Sequence, residues 1–217
     1  MSTVALTKEQ YTSIITALID GIPKGEVTSI LPSRFECVDG KMIERERTLT
    51  RFVWVVEPNE AMATMLQVEA NTGIRISDVL KLKRGDIIKD GDRYRFDIVE
   101  QKTKKARHFT VPTPVFLMVE KYCVDHDIEK GEKIFPYDEA RSIQRIIKKI
   151  ADFFGYENIS THSFRKYFAT KAYQASGNDI ELVSRLLQHS SSSITRAYIG
   201  IQDERTENVL KASVSLI

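Results

Sequence analysis

The sequence has little cysteine, no long apolar run and no pattern of an exported protein. Cys37 and Cys123 are far apart and fit no metal-binding spacing, which argues against a disulfide framework and indicates a reducing compartment. No apolar stretch is long enough to cross a bilayer, and the N-terminus lacks the basic and apolar regions of a signal peptide. We therefore expect a cytoplasmic protein with no membrane partner.

The net charge of the chain is also small. Lys and Arg total 32 and Asp and Glu total 30, so the chain carries only +2, too little to indicate a nucleic-acid binder by itself. Basic side chains nevertheless cluster twice, at Lys102, Lys104, Lys105 and Arg107 and, on a predicted helix, at Arg141, Arg145, Lys148 and Lys149. Each cluster is either a DNA contact or a solvated surface.

Neither an internal repeat nor a low-complexity linker divides the 217 residues, a length that suits one large domain. The chain opens with a capping box at Thr7 and Gln10, followed by apolar residues at helical spacing. The pattern changes over 23–52, where an Asp39-Gly40 pair predicts a hairpin spanning 35–44.

Helical periodicity returns after Pro58 and dominates the rest of the chain. Further helices are predicted over 59–72, 77–82, 113–123, 143–155, 163–175, 179–187 and 204–213, and strands over 94–98 and 109–111. The predicted fold is mainly α with a small antiparallel β-sheet, an α+β domain spanning 1–217. Within it we expect an insertion at 23–57 and a C-terminal tail helix within 204–217.

Four residues of the last third combine types suited to phosphate chemistry. His162 and Arg165 lie three apart at the start of a helix, where backbone N–H groups already favour an anion. His189 ends the following helix among small donors, and Tyr198 comes nine residues later. Taken singly, each is more often a helix cap or a packing residue than a catalyst.

Taken together, these residues and two earlier segments resemble the catalytic domain of the tyrosine recombinases, the phage integrase family. His162-x-x-Arg165, His189 and Tyr198 are similar to the family's second box. The run from Thr72 to Leu82, which contains Arg75, is similar to the first box, and residues 101–108 resemble the hairpin that delivers a lysine. The resemblance extends from Asn59 to Gly200.

The resemblance implies a catalytic set of Arg75, Lys102, His162, Arg165, His189 and Tyr198. Tyr198 would attack a DNA phosphate to give a 3′-phosphotyrosyl intermediate, with His162 as the proton acceptor. The two guanidinium groups suit the nonbridging oxygens, and His189 would donate a further hydrogen bond. Lys102 would protonate the departing 5′ oxygen, with Lys104 the next candidate, and Asp78 would hold Arg75 in place.

Such a reaction needs no cofactor, because phosphodiester energy stays in the protein–DNA bond and cationic side chains replace a metal. We therefore predict a metal- and ATP-independent enzyme. Its partners would be double-stranded DNA, further copies of the chain in a tetrameric synapse, and an accessory DNA-bending protein. Lys104, Lys105, Arg107, Arg141 and Arg145 are predicted DNA contacts.

The 74 residues before Arg75 leave no room for the separate N-terminal domain that many family members carry. The chain is thus expected to be either a short recombinase or a catalytic fragment, and 23–57 either an ordinary insertion or a replacement DNA contact. Two other functions fit the same residues. One is a type IB topoisomerase, and the other is a DNA-binding regulator that does not cleave.

Overall fold

A computed structural model describes residues 3–39, 41–99, 106–200 and 211–213, with 107–109 described by their backbone alone. The fold is mainly helical with small antiparallel sheets, as predicted. Its helices are α1 (Lys8–Asp20), α2 (Glu60–Thr72), α3 (Ile76–Val79), α4 (Thr113–Asp125), α5 (Ala140–Phe154), α6 (Thr161–Ala175), α7 (Ile180–Leu187) and α8 (Ser192–Ile199). Its strands are β1 (Ile22–Val38), β2 (Lys41–Val56), β3 (Ile87–Asp90), β4 (Arg93–Val99) and β5 (Ala106–Val111).

The predicted capping box begins the first helix. The Thr7 hydroxyl accepts the Gln10 backbone N–H at 3.2 Å, and the Gln10 side chain accepts the Thr7 backbone N–H at 3.0 Å. These reciprocal bonds satisfy donors that the first turn would otherwise leave open. They fix the start of α1, whose buried face includes Ile14, Ile15 and Leu18.

The core is centred on α2, which packs against α1, α4 and α6. Met62, Met65 and Leu66 are fully buried on α2, and Cys123 is fully buried on α4. An amphipathic surface helix has one buried stripe, whereas α2 is buried almost all round. It therefore runs through the interior and delivers its C-terminus to the centre of the domain.

The predicted hairpin is present but far longer than 35–44. Strands β1 and β2 form an antiparallel ribbon from Ile22↔Val56 to Val38↔Lys41, with register shifts near Pro23 and between Leu31 and Arg34. Nearly all its residues beyond the base are exposed. Because neither face is buried, no inward-facing apolar set marks the strand ends in the sequence. The predicted insertion at 23–57 coincides with this ribbon, and its origin stays a prediction.

A three-stranded sheet in the order β3-β4-β5 follows the helix pair α2 and α3. Its last two strands were predicted from their alternation, but β3 was not, because four residues are too few to show a period of two. The predicted helix 77–82 is shorter, covering Ile76–Val79, and α8 is a further helix that the sequence pattern missed.

The predicted tail helix within 204–217 lies outside the described residues, except for 211–213, which are helical. Among the helices of the described ranges, none combines the length and apolar character needed to span a membrane.

Candidate active site

The segment 72–82, which resembles the first box of the family, spans the junction between α2 and α3. Gly73 ends α2 in the left-handed conformation, with φ of 65°, and its backbone N–H donates to the Glu69 carbonyl. Arg75 then caps the N-terminus of α3, and Asp78, 4% exposed, donates its backbone N–H to the Arg75 carbonyl at 2.8 Å. The predicted role of Asp78 in holding the Arg75 guanidinium stays a prediction.

Glycine is needed at position 73 for two reasons. Its positive φ disfavours any residue with a Cβ, and a Cβ at this position would overlap the Phe168 ring on α6. The close approach brings the C-terminus of α2 against α6, which carries His162 and Arg165. Gly73 thus allows the segment that contains Arg75 to pack against the helix that carries His162 and Arg165.

We predict that Gly73→Ala lowers the free energy of unfolding by about 2–4 kcal/mol, because backbone strain and overlap with Phe168 add together. Gly155→Ala is the matched control. Gly155 also ends a helix with positive φ, at 70°, but no atom of a described residue outside its own helix end and chain neighbours lies within 4 Å of its Cβ position. It should therefore lose only the strain, about 1–2 kcal/mol. Urea unfolding of both variants measures the difference, and equal losses would contradict the close contact with Phe168.

Arg165 occupies the centre of the site and is 2% exposed. Its guanidinium donates to the Gly73 carbonyl and, at 2.8 Å, to the Leu187 carbonyl. These carbonyls lie at the C-terminal ends of α2 and α7, where helix dipoles concentrate negative charge. One buried cation therefore satisfies two helix ends, and the guanidinium is held in a fixed plane.

His189 follows the end of α7. Gln188 adopts the left-handed conformation, and the His189 backbone N–H then donates to the Ser184 carbonyl at 3.0 Å. The His189 Nδ1 lies 2.9 Å from the hydroxyl of Thr195, a fully buried residue of α8. This bond fixes the orientation of the imidazole. The sequence reading missed Thr195, although it lies one helical turn before Tyr198.

Tyr198 packs against its own domain. It joins a small apolar cluster with Ala169, Val183 and Leu187, and its ring meets that of His189 edge-on with centroids 5.4 Å apart. The Lys166 ammonium group lies 5.2 Å from the centroid of the Tyr198 ring. The α8 helix thereby places the phenol beside the candidate residues of the same chain.

Burial raises the pKa of Tyr198 to about 12. Arg165 and Arg75 oppose this rise by stabilising the phenolate, whereas the nearby carboxyl of Glu69 adds to it. The phenol oxygen approaches Arg165 but completes no hydrogen bond with a described residue. The structure therefore brings Arg75, Arg165, His189 and Tyr198 together, with the phenol in its protonated form.

Glu69 belongs to this group and was missed in the sequence. It is fully buried, and burial raises the pKa of its carboxyl well above the usual value, although Arg165 favours the charged form. A signal was present, because Glu69 follows Met62 and Met65 at helical spacing and so falls on an inward stripe.

Among the remaining predicted residues, those whose side chains the structure describes lie at the surface. His162 is exposed in the first turn of α6, and Arg141 and Arg145 are exposed on α5 opposite its buried isoleucines. Lys102, Lys104 and Lys105 lie outside the described residues, and Arg107 is described only by its backbone in β5. Their proposed roles stay predictions.

The strands that flank residues 100–105 end near the first box. Val99 pairs with Ala106 across β4 and β5, and Val99 and Asp78 line the same cavity of about 140 Å³. Val99 and Ala106, the described residues on either side of 100–105, therefore lie on the Asp78 side of the domain.

Comparison with known proteins agrees with this arrangement. A family model for the phage integrase family matches residues 50–205. The probable integrase/recombinase YoeC of Bacillus subtilis (strain 168) is 35% identical over 147 residues, covering 65% of this chain and 78% of that protein. The tyrosine recombinase XerC of Bradyrhizobium diazoefficiens is 30% identical over 164 residues, covering 71% of this chain and 49% of that protein. The chain thus spans about half the length of this XerC relative.

Solved structures show the same fold. The XerH site-specific recombinase in a pre-cleavage complex with difH substrate matches 96% of this chain and 53% of that chain, with a TM-score of 0.61 and 17% identity. The catalytic domain of bacteriophage HP1 integrase matches 98% of this chain and 96% of that chain, with a TM-score of 0.55 and 15% identity. Since the family model spans most of the sequence, the chain belongs to the phage integrase family of tyrosine recombinases.

Proposed function

We propose that the chain is a site-specific DNA recombinase that cleaves and rejoins strands through a 3′-phosphotyrosyl intermediate. One observation carries the proposal: Tyr198 lies beside Arg165 and His189 and within the electrostatic reach of Arg75. A phenol and two guanidinium groups form the minimum set for attack on a phosphodiester. The phenol supplies the nucleophile, and the guanidinium groups stabilise the charge on the nonbridging oxygens.

In the proposed step the Tyr198 oxygen forms a bond to the scissile phosphorus as the bond to the 5′ oxygen breaks. The phenol proton passes to His162, and Lys102 gives a proton to the departing 5′ oxygen. Rejoining reverses the step, because a free 5′ hydroxyl attacks the phosphotyrosine and releases the phenol. One phosphodiester is thus exchanged for another, and neither ATP nor a metal ion takes part.

The structural relatives support DNA as the substrate. XerH is described in both pre-cleavage and post-cleavage complexes with its difH substrates. In our proposal the exposed Arg141 and Arg145, with Lys104, Lys105 and Arg107, contact DNA phosphates. Several chains would assemble around one junction, held together in part by the tail within 204–217, and a DNA-bending protein would assist. A tail that packs on its own domain is the alternative.

A covalent trapping experiment tests the proposal and separates it from the alternatives. The protein is incubated with a pool of nicked duplexes that contain random inserts, in EDTA and without ATP, and SDS-resistant adducts are recovered and sequenced. A recombinase yields adducts enriched in one inverted repeat. Adducts without sequence preference indicate a type IB topoisomerase, and binding without adducts indicates a regulator that does not cleave.

A further inference from the structure

Glu69 is placed at the centre of the candidate site by its own helix. It lies on α2 four residues before Gly73, and the Gly73 carbonyl accepts a hydrogen bond from Arg165. The carboxyl is fully buried, and neither of its oxygens completes a hydrogen bond with a described residue. The backbone N–H of Ile76 approaches the carboxyl and favours its charged form.

The buried Glu69 carboxyl lowers the stability of the fold. Burial of this carboxyl costs desolvation that the Ile76 N–H and Arg165 offset only in part, whereas an apolar side chain of similar size would fill the same space without that cost. Buried ionisable groups of this kind concentrate at functional sites, where they lower stability but serve binding or catalysis. The position of Glu69 beside Arg165 identifies the side chain on which it would act.

We propose that Glu69 is a positioning residue for Arg165 and that it acts as a neutral carboxylic acid. The inference rests on the proposed DNA cleavage. In the neutral form the carboxyl offers an oxygen acceptor near the guanidinium without cancelling its charge. Arg165 then keeps its full charge for the scissile phosphate.

Burial accounts for the neutral form, and the groups around the carboxyl oppose it. Arg165 reaches the carboxyl from α6 and lowers its pKa, Arg75 and Ile76 lie at the start of α3, and Tyr198 faces it from α8. Burial outweighs these contributions and raises the pKa of Glu69 well above its usual value. An ionised Glu69 would neutralise part of the Arg165 charge, and its own charge is among the causes that raise the pKa of Tyr198. The neutral acid avoids both effects.

The stability of Glu69→Gln tests the protonation state without DNA. The folded wild type keeps a proton that the unfolded chain loses above a pH of about 4.5. Its stability therefore falls as pH rises from there towards the raised pKa, whereas the glutamine variant lacks this contribution. We expect the melting temperature of Glu69→Gln minus that of wild type to rise by about 3–5 °C per pH unit between pH 5 and 7. A difference that does not change with pH overturns the neutral acid.

Single-turnover cleavage of a trapped nicked site tests the positioning role. Glu69→Gln should cleave within about threefold of wild type at pH 7, because it preserves a neutral acceptor, whereas Glu69→Leu should cleave at least about tenfold more slowly. The affinity of Glu69→Leu for DNA should stay within about twofold of wild type, and its melting temperature should rise by about 4 °C or more. Met65→Leu, a swap of similar volume one turn earlier on α2, is the control for core disturbance.

Equal cleavage by Glu69→Leu and wild type overturns the positioning role. Equally slow cleavage by Glu69→Gln and Glu69→Leu overturns the neutral form, since it shows that an ionised carboxylate is required. If wild type itself cleaves no duplex in this assay, the proposed function fails instead. The melting experiment then still decides the protonation state of Glu69, so the two failures are distinct.

Discussion

Tyr198→Phe will form no covalent complex with DNA, while its dissociation constant for the same duplex stays within about twofold of wild type. The substitution removes only the hydroxyl that would attack phosphorus. The fold should also be preserved, because that hydroxyl completes no hydrogen bond with a described residue and so contributes little to stability. Trapping on nicked duplexes, followed by SDS gels, measures the adduct, and gel shifts measure binding.

Tyr173→Phe is the matched control. Tyr173 packs on the same small cluster of Ala169, Val183 and Leu187, so its loss of a hydroxyl disturbs the same part of the fold. We expect this variant to form adducts at the wild-type rate. An SDS-resistant adduct from Tyr198→Phe would show that another group is the nucleophile.

Arg165→Ala will slow cleavage by at least about a hundredfold, the scale expected for a preorganised donor to a developing charge. It will also lower the free energy of unfolding by about 1–3 kcal/mol, because the Gly73 and Leu187 carbonyls lose their donor. Arg165→Lys separates the two effects. It keeps a positive charge near the helix ends but not the planar fork, so it should fold better and still cleave slowly.

Arg185→Ala, an exposed arginine in the last turn of α7, controls for the loss of positive charge near the site and should cleave normally. Arg75→Ala should slow cleavage by a factor similar to that of Arg165→Ala. Single-turnover rates on a trapped nicked site, with circular dichroism to check the fold, decide these cases. An Arg165→Lys protein that cleaves at the wild-type rate would contradict a need for the planar guanidinium at this position.

The protonated state of Tyr198 sets a requirement for the proposed mechanism. Because burial raises the pKa of Tyr198 to about 12, the phenol is protonated at pH 7. Attack therefore requires that a proton leave during the reaction, or that a change in the surroundings lower the pKa. The proposed proton acceptor, His162, is itself exposed in the first turn of α6, three residues before the buried Arg165.

Some elements could be predicted from local sequence because local bonds determine them. The start of α1 depends on Thr7 and Gln10, and the end of α2 depends on Gly73, whose conformation few other residues adopt. The three-stranded sheet was found only in part, since β3 is too short to show a period. The ribbon of β1 and β2 has no buried face, so its length left no apolar pattern in the sequence.

The candidate site, too, could be predicted only in part from the sequence. The sequence indicated which residues form the site and in what order, namely Arg75, Arg165, His189 and Tyr198. It did not predict how they are arranged in space. That arrangement depends on Arg165 meeting the ends of two helices that are distant in sequence. Glu69 was overlooked although its spacing from Met62 and Met65 puts it on an inward stripe, and its proximity to Arg165 and Tyr198 is visible only once α6 and α8 pack around it.

Mapping the attachment site on the protein tests the central claim most directly. The trapped covalent complex is digested with nuclease and trypsin, and the peptides are analysed by mass spectrometry. Trypsin cuts after Arg196 and Arg205, which isolates a peptide over 197–205 whose only tyrosine is Tyr198. We predict that this peptide carries the residual nucleotide through a phosphotyrosyl bond. A nucleotide attached to any other peptide would contradict the assignment of Tyr198 as the nucleophile.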